Sequence, residues 1–233
     1  MIDFHSHVLP QIDDGSQSLD ESLALLRMQK EQGADIVCAT PHFLASHHDV
    51  ETFISRRAGA YDRLKPLLPT DAPEIRLGAE VAYYPGLSRL PELERLMLEG
   101  TQILLLEMPF SRWTESVRQE LIALSCRPRM TVMIAHIERY LFYQPAGTIE
   151  ELMGRGFLIQ VNAEFFLERA TRHKAFRMLK KEQIDAVGTD CHNRDSRKPN
   201  LGDWRELVRK KMGDEWEKAF EYASSALLEQ YAV

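Results

Sequence analysis

Seven short apolar runs in this 233-residue chain each lead to a residue type able to bind a metal or donate a hydrogen bond. Residues 2–4 lead into His5-Ser6-His7, and residues 35–39 into Thr40-Pro41-His42. The run 75–81 carries Gly78-Ala79-Glu80; the runs 102–106, 131–135 and 157–161 end at Glu107, His136 and Asn162. The last run, 184–187, is followed by Asp190-Cys191-His192. Residues at i and i+2 of a strand share a face, so His5 and His7 can serve one metal. Asp190 and His192 repeat that spacing and are expected to enter from the opposite side. Imidazoles with carboxylates, and no paired cysteines, suit Mn, Fe or Zn rather than a structural thiolate site. A lone strand-end histidine is usually a hydrogen-bonded core or loop residue. Five of the eight histidines at strand ends, with carboxylates at three others, point instead to a shared metal centre. His47, His48 and His173 fall outside the pattern and read as solvated.

Such a set needs a scaffold that brings strand ends together. Most of the runs are near-continuous Val, Ile and Leu, as for parallel strands buried on both faces. Helical stretches lie between them. Ser18-Leu19-Asp20-Glu21 is a capping box, with Leu19, Leu23 and Leu26 following on one face and Gly33 at the C-cap position. Val117, Leu121 and Leu124 form a second stripe; Leu93, Leu96 and Leu98 precede Gly100, and Ile149, Leu152 and Met153 precede Gly154. Residues 200–231 read as two or three helices in succession. Strand–helix alternation with seven strands predicts a closed (β/α) barrel slightly short of eight units. An open doubly wound sheet is the alternative, but its Gly-rich first turn is missing. In either fold the C-terminal edge of the strands is where active sites assemble.

Composition narrows the class. The hydrophobic fraction is 44% and the net charge −6, from 29 Lys and Arg against 35 Asp and Glu. That excludes disorder. No apolar stretch approaches the ~20 residues of a membrane span, and residues 1–10 do not resemble a signal peptide. An acidic balance with no basic block argues against nucleic-acid binding. Cys38, Cys126 and Cys191 read as reduced thiols of a cytoplasmic protein. With no repeat or linker, residues 1–233 read as one domain, the helices of 200–233 having no assigned role.

The segment His5-Ser6-His7-Val8-Leu9-Pro10-Gln11-Ile12-Asp13-Asp14-Gly15-Ser16 resembles the opening motif of the polymerase-and-histidinol-phosphatase (PHP) metallohydrolases. More closely, it is similar to the bacterial manganese-dependent tyrosine phosphatases encoded with capsular and exopolysaccharide genes. Thr40-Pro41-His42, Gly78-Ala79-Glu80, Ala135-His136-Ile137-Glu138-Arg139-Tyr140, Gln160-Val161-Asn162 and Gly188-Thr189-Asp190-Cys191-His192-Asn193 continue the likeness in order. The resemblance implies a distorted seven-stranded α/β barrel of the PHP type, with three divalent ions, Mn²⁺ first and Fe or Zn as alternatives. It implies that His5, His7, Glu80 and Asp190 hold one ion. Glu80, Glu107 and His136 would hold a second, and Asp14, His42 and His192 the third, with Asp13 an alternative to Asp14. Arg139 and Arg197 match two phosphate-binding arginines.

The implied reaction is attack of a metal-activated water on a phosphate monoester, the cations neutralising the dianion. His42 or His192 could supply a proton to the leaving group. Phosphotyrosine on a protein is the implied substrate, specifically the tyrosine-rich tail of a membrane-associated capsule kinase. A small phosphomonoester such as histidinol phosphate, and a non-catalytic regulatory partner of polysaccharide assembly, are the alternatives. Phe43, Tyr83, Tyr84, Phe110 and Trp113 follow strand ends and could stack on a phenyl ring. Cys191 to Arg197 also matches C-x5-R, the nucleophile loop of cysteine-dependent phosphatases. No glycine lies between those two residues to let backbone amides turn inward, so the match reads as coincidence.

Overall fold

Each apolar run becomes a strand, and every strand pairing is parallel. The computed structural model describes all of residues 1–233. The strands are β1 (Ile2–Ser6), β2 (Ile36–Ala39), β3 (His42–Phe43), β4 (Glu74–Leu77), β5 (Glu80–Ala82), β6 (Ile103–Glu107), β7 (Thr131–Ile134), β8 (Leu158–Asn162) and β9 (Ala186–Gly188). They form a three-stranded sheet, β1-β2-β4, and a six-stranded sheet, β3-β5-β6-β7-β8-β9. β2 and β3 are two parts of one run, interrupted at Thr40-Pro41; β4 and β5 are likewise interrupted at Gly78-Ala79. Counted as runs, the strands number seven, as the sequence predicts. The ring closes between first and last: the His7 amide donates to the Cys191 carbonyl at 2.9 Å and the Asp190 amide to the His5 carbonyl at 2.7 Å. The expectation that Asp190 and His192 enter opposite His5 and His7 is therefore wrong. A closed barrel makes its last strand the neighbour of its first.

The helices are α1 (Leu19–Glu31), α2 (Val50–Leu64), α3 (Glu115–Ser125), α4 (Thr148–Gly154), α5 (Glu164–Leu167), α6 (Arg172–Lys180), α7 (Leu201–Met212) and α8 (Asp214–Gln230). Ser18 caps α1 through the Glu21 amide, and the Glu21 carboxylate reaches back to the Gln17 amide rather than that of Ser18. Gly33 follows the helix with φ +91°, a conformation that favours glycine. The outer strand faces, including Val37, Leu104, Leu106, Val132 and Ile159, pack under the helices. The inner faces bring Ile2, Phe4, Leu105, Met133 and Leu158 together with Leu227 and Leu228 of α8. Residues 200–233 thus form two helices, and the second fills the end of the barrel remote from the strand C-termini. Burying each of those leucines is worth about 1.5–3 kcal/mol. α6 and its flanks carry Arg169, Arg172, Lys174, Arg177, Lys180 and Lys181, a basic block that the acidic overall balance conceals.

Two local irregularities position the chemistry. The register of β1 against β2 slips by one residue between Asp3 and Ser6. Strict alternation would put His5 on the side of Asp3; the bulge returns His5 and His7 to the interior side of Ile2 and Phe4. Opposite them, Gly188 lies where a Cβ would be 2.5 Å from the His5 Cβ and 2.9 Å from its backbone nitrogen. We expect Gly188→Ala to force β9 off β1, costing about 1–3 kcal/mol and lowering Tm by roughly 3–10 °C. Thermal unfolding of the metal-free protein measures this, and an unchanged Tm would show that β9 can retreat without cost.

Candidate metal centre

Glu80 is the hub of the barrel mouth. It stands in register with His42 across β3–β5 and is 1% exposed. Its Oε2 lies 3.1 Å from His5 Nε2, 3.2 Å from His7 Nε2 and 2.9 Å from His42 Nδ1, while Oε1 lies 2.7 Å from His136 Nε2. Burial works against its charge, yet His5, His136 and His42 together hold the carboxyl well below the usual carboxylate range. Asp190 enters from the neighbouring strand end, its Oδ1 3.4 Å from His7 Nε2 and 3.7 Å from His5 Nε2. On one side Glu107 approaches His136 Nε2 at 3.7 Å; on the other Asp14 approaches His42 Nε2 at 3.5 Å and His192 Nε2 at 3.3 Å.

All nine ligand candidates from the sequence therefore meet in one place. They fall into overlapping groups whose ligand atoms lie within 4.8 Å of one another: His5, His7 and Asp190; His5, Glu80 and His136; His42, Glu80 and Glu107; and His7, Asp14, His42 and His192. Among the buried polar atoms without a hydrogen-bond partner are His42 Nδ1, Glu80 Oε2 and His192 Nε2. His42 Nδ1 and Glu80 Oε2 are close but not aligned for a hydrogen bond. Buried lone pairs left unsatisfied at a shared point are what an N/O cation site requires, so this donor set fits divalent metal.

Asp13 and Asp14 divide the work. Asp13 Oδ2 sits 2.7 Å from His7 Nδ1 and accepts the His42 amide at 2.9 Å. It orients a histidine whose other nitrogen faces the cluster, as carboxylates behind metal-bound histidines do. Asp14 is more than half exposed and directs its carboxylate at His42 and His192. Two candidate ligands carry left-handed backbone, His136 at φ +30° and Asp190 at φ +52°. Such strain costs about 1–3 kcal/mol per residue and persists only where the surroundings enforce it. Here the His136 amide donates to Gln160 Oε1 at 2.6 Å, and the Asp190 amide is tied to β1.

Several supporting residues escaped the sequence reading. Gln160 faces His5 Nδ1 at 3.4 Å as well as the His136 amide. Tyr140 Oη is 3.0 Å from His136 Nδ1 and accepts the Met108 amide. Asn162, noted only as a strand end, donates to Asp190 Oδ2 at 3.0 Å. Glu138 is half-buried with its carboxylate shielded from solvent, accepts the Asn162 amide and is pushed up to about 8 by that burial. Only the position of Gln160, two residues before Asn162 on the inner face of β8, hinted at this.

Arg139 and Arg197 converge on Asp190, at 2.5 Å on Oδ2 and 2.8 Å on Oδ1. With Asn162 and Thr189 they line a cavity of about 220 Å³. The aromatic expectations are thinned. Phe43 is fully buried against Phe53, and Trp113 is 3% exposed, its indole N–H donating to the Pro109 carbonyl. Phe110 alone of the five is half exposed and lies flat beside a candidate ligand, its ring 6.1 Å from that of His136. Cys191 is buried, accepts from Gln29, and its thiol is pushed up to about 12 by burial. Neither property suits a nucleophile. His47, His48 and His173 join none of the clusters; His48 contacts Arg56.

Metal and protons compete here. Burial opposes charge on His7, but Asp13, Asp190 and Glu80 hold its pKa well above the ordinary value; Glu80 likewise raises that of His42 against burial. Without metal, these two stabilise the fold below pH 6.5 and lose that contribution as pH rises through their folded values. Glu138 adds a loss between 4.5 and about 8. His136 is held low by burial, and His192 is held near 4 by burial and by His7. Both favour the fold above their folded values and are already at full effect by pH 6.5. Tm of chelator-treated protein should therefore fall as pH rises from about 6.5 through about 8, and fall less with divalent metal bound. A Tm that rises across this window would contradict the assignment. Asp13→Ala should weaken divalent-metal binding about 10–100-fold in a chelator competition.

The chain can now be set against known proteins. The family model described as "Capsular polysaccharide synthesis, CpsB/CapC" matches residues 1–228. The chain is 32% identical over 231 residues to the tyrosine-protein phosphatase CpsB of Streptococcus pneumoniae, covering 91% of each chain. It is 28% identical over 222 residues to the tyrosine-protein phosphatase YwqE of Bacillus subtilis, covering 92% of this chain and 86% of the other. One solved structure superposes with a TM-score of 0.84 at 22% identity, over 100% of this chain and 96% of that one. It comes from work on B. subtilis YwqE and S. pneumoniae CpsB, described there as unique metal-dependent tyrosine phosphatases.

Proposed function

The chain belongs to the CpsB/CapC family of capsular polysaccharide synthesis, and from that premise we propose that it is a metal-dependent phosphatase acting on protein phosphotyrosine. The observation that carries this reading is the cluster of four imidazoles around the Glu80 carboxylate, its unsatisfied lone pairs flanked by two arginines. Residues 1–233 act as one domain in this reading, because α8 supplies part of the barrel interior.

Three divalent ions suit the overlapping groups. His5, His7, Glu80 and Asp190 would hold one, Glu80, Glu107 and His136 a second, and Asp14, His42 and His192 the third. Nitrogen and oxygen donors without thiolate favour Mn²⁺, with Fe or Zn as alternatives. Bound there, the ions supply an activated water and neutralise the phosphate dianion. Arg139 and Arg197, released from Asp190 as phosphate enters, grip its non-bridging oxygens and take up charge that develops in the transition state. Phe110 offers a face to the phenyl ring beside His136. Whichever of His42 and His192 is not engaged by metal would donate a proton to the leaving phenolate. The demand is small, since phenol has a pKa of ~10.

A tyrosine-phosphorylated tail of a capsule kinase is the proposed protein substrate. Such a substrate, the free thiols and the lack of any helix long and apolar enough to cross a membrane support a cytoplasmic setting. The half-exposed Phe110 favours an aryl phosphate over a small alkyl one.

Hydrolysis of p-nitrophenyl phosphate should require added Mn²⁺ and stop on chelation. Failure of the metal-loaded protein to turn over would sink the reading. His136→Ala should abolish activity, and Arg139→Ala should lower kcat by about 10²–10³-fold. Cys191→Ser should leave turnover near wild type, whereas a cysteine mechanism predicts none. Phosphotyrosine peptide should outrun phosphoserine peptide and histidinol phosphate at equal concentration.

A further inference from the structure

The basic block on α6 forms one surface with the end of α7. Arg169, Arg172, Lys174, Arg177, Lys180 and Lys181 follow one another with no acidic residue between Glu168 and Glu182. Lys210 and Lys211 lie in the last turn of α7, and Lys211 lines a shallow cavity of about 340 Å³ together with Arg169, Arg172, Phe176 and Lys180. On the other flank of α6, Lys174, Arg177 and Lys181 line a second cavity, with Glu150 the acidic group there.

None of these eight cations makes an ion pair, whereas 11 of the other 21 Lys and Arg do; Arg172 donates only to the Phe166 and Leu167 carbonyls. Of 29 Lys and Arg, the remaining 21 face 35 Asp and Glu, a formal charge of −14. Folding has separated the charge. Eight unpaired cations on one wall repel one another, a cost that an anionic partner would remove.

The shape selects the partner. The cations lie on both flanks of a helical ridge rather than within one groove. An extended peptide could occupy one flank; a planar anionic surface reaches both and the crest between them. Apart from Phe176 and the imidazole of His173 the ridge offers no ring on which bases could stack. We propose that α6 and the end of α7 form a docking surface for the anionic headgroups of a lipid bilayer, peripheral and without insertion. The surface begins beside the candidate active site: Glu168 lines the cavity of Arg139 and Arg197, and its neighbour Arg169 lines the basic one. A protein on this surface presents its barrel mouth to segments tethered at the same bilayer. The proposal does not rest on the phosphatase reading, because the charge separation stands whatever the barrel does.

Co-sedimentation with vesicles tests it. The wild-type, Mn²⁺-loaded protein should pellet with phosphatidylcholine vesicles containing about 30 mol% phosphatidylglycerol, not with phosphatidylcholine alone, and be released at about 0.5 M salt. Arg177→Gln/Lys180→Gln/Lys181→Gln should lower the partition coefficient on the order of 100-fold at low salt. The equally discharged Arg27→Gln/Lys65→Gln/Arg155→Gln should lower it far less. Far-ultraviolet circular dichroism and Tm establish that both variants fold, and Lys210→Glu/Lys211→Glu is a second route should the first not. Turnover of p-nitrophenyl phosphate without vesicles should be unchanged in the patch variants. Equal binding to neutral vesicles, equal loss in the control variant, or tighter capture by soluble polyglutamate than by anionic vesicles would overturn the proposal.

Discussion

One buried carboxylate sets the terms for the rest of the molecule. Glu80 is almost wholly removed from water, and an unpaired charge there would be prohibitively costly. It is tolerated because four imidazoles from three different runs reach it: His5 and His7 from β1 and its end, His42 from β3 and His136 from the end of β7. Barrel closure is what makes those approaches simultaneous. Imidazoles are imperfect counterions, since each can be neutral and His42 retains an unpartnered nitrogen. A set so arranged is completed by cations, and the chemistry proposed here is the chemistry such cations support.

The scaffold around Glu80 carries the cost of that arrangement. The bulge in β1, the interruptions at Thr40-Pro41 and Gly78-Ala79, and the left-handed backbone at His136 and Asp190 are departures from regular βα geometry. All occur where strands deliver site residues. Their supports are polar and local: Asp13 behind His7, Gln160 beneath His136, and Asn162 beside Asp190. At the opposite end the barrel is ordinary hydrocarbon, closed by Leu227 and Leu228. Rigidity at one end lets strain be held at the other.

Much of this was legible in the chain because the two signals involved are local. Near-continuous apolar runs mark strands buried on both faces, and polar residues immediately after them mark the strand ends. Hence the seven strands and the nine clustered residues could be read before any coordinates. What escaped depended on contacts distant in sequence. Phe43 reads as a rim aromatic, yet it packs on Phe53 of α2, a helix remote from it in pattern though near in space. Gln160, Tyr140 and Glu138 are unremarkable residue types whose roles exist only because His136 and Asn162 are near. The basic block of residues 169–181 was written plainly in the chain, but averaging over 35 acids concealed it.

By itself the sequence determined which residues are available for chemistry, the parallel barrel that collects them and, through ordered motifs, the family. Those properties follow from residue type, period and spacing along a single chain. Only the tertiary structure decided that Asp190 and His192 stand beside His5 and His7 rather than across from them. Only it assigned Asp13 to orient and Asp14 to face the cluster, or gathered α6 and the end of α7 into one cationic wall. The reason is physical in each case. Ring closure, the direction of a hydrogen bond and the sum of charges over a surface are properties of residues brought together from distant parts of the chain.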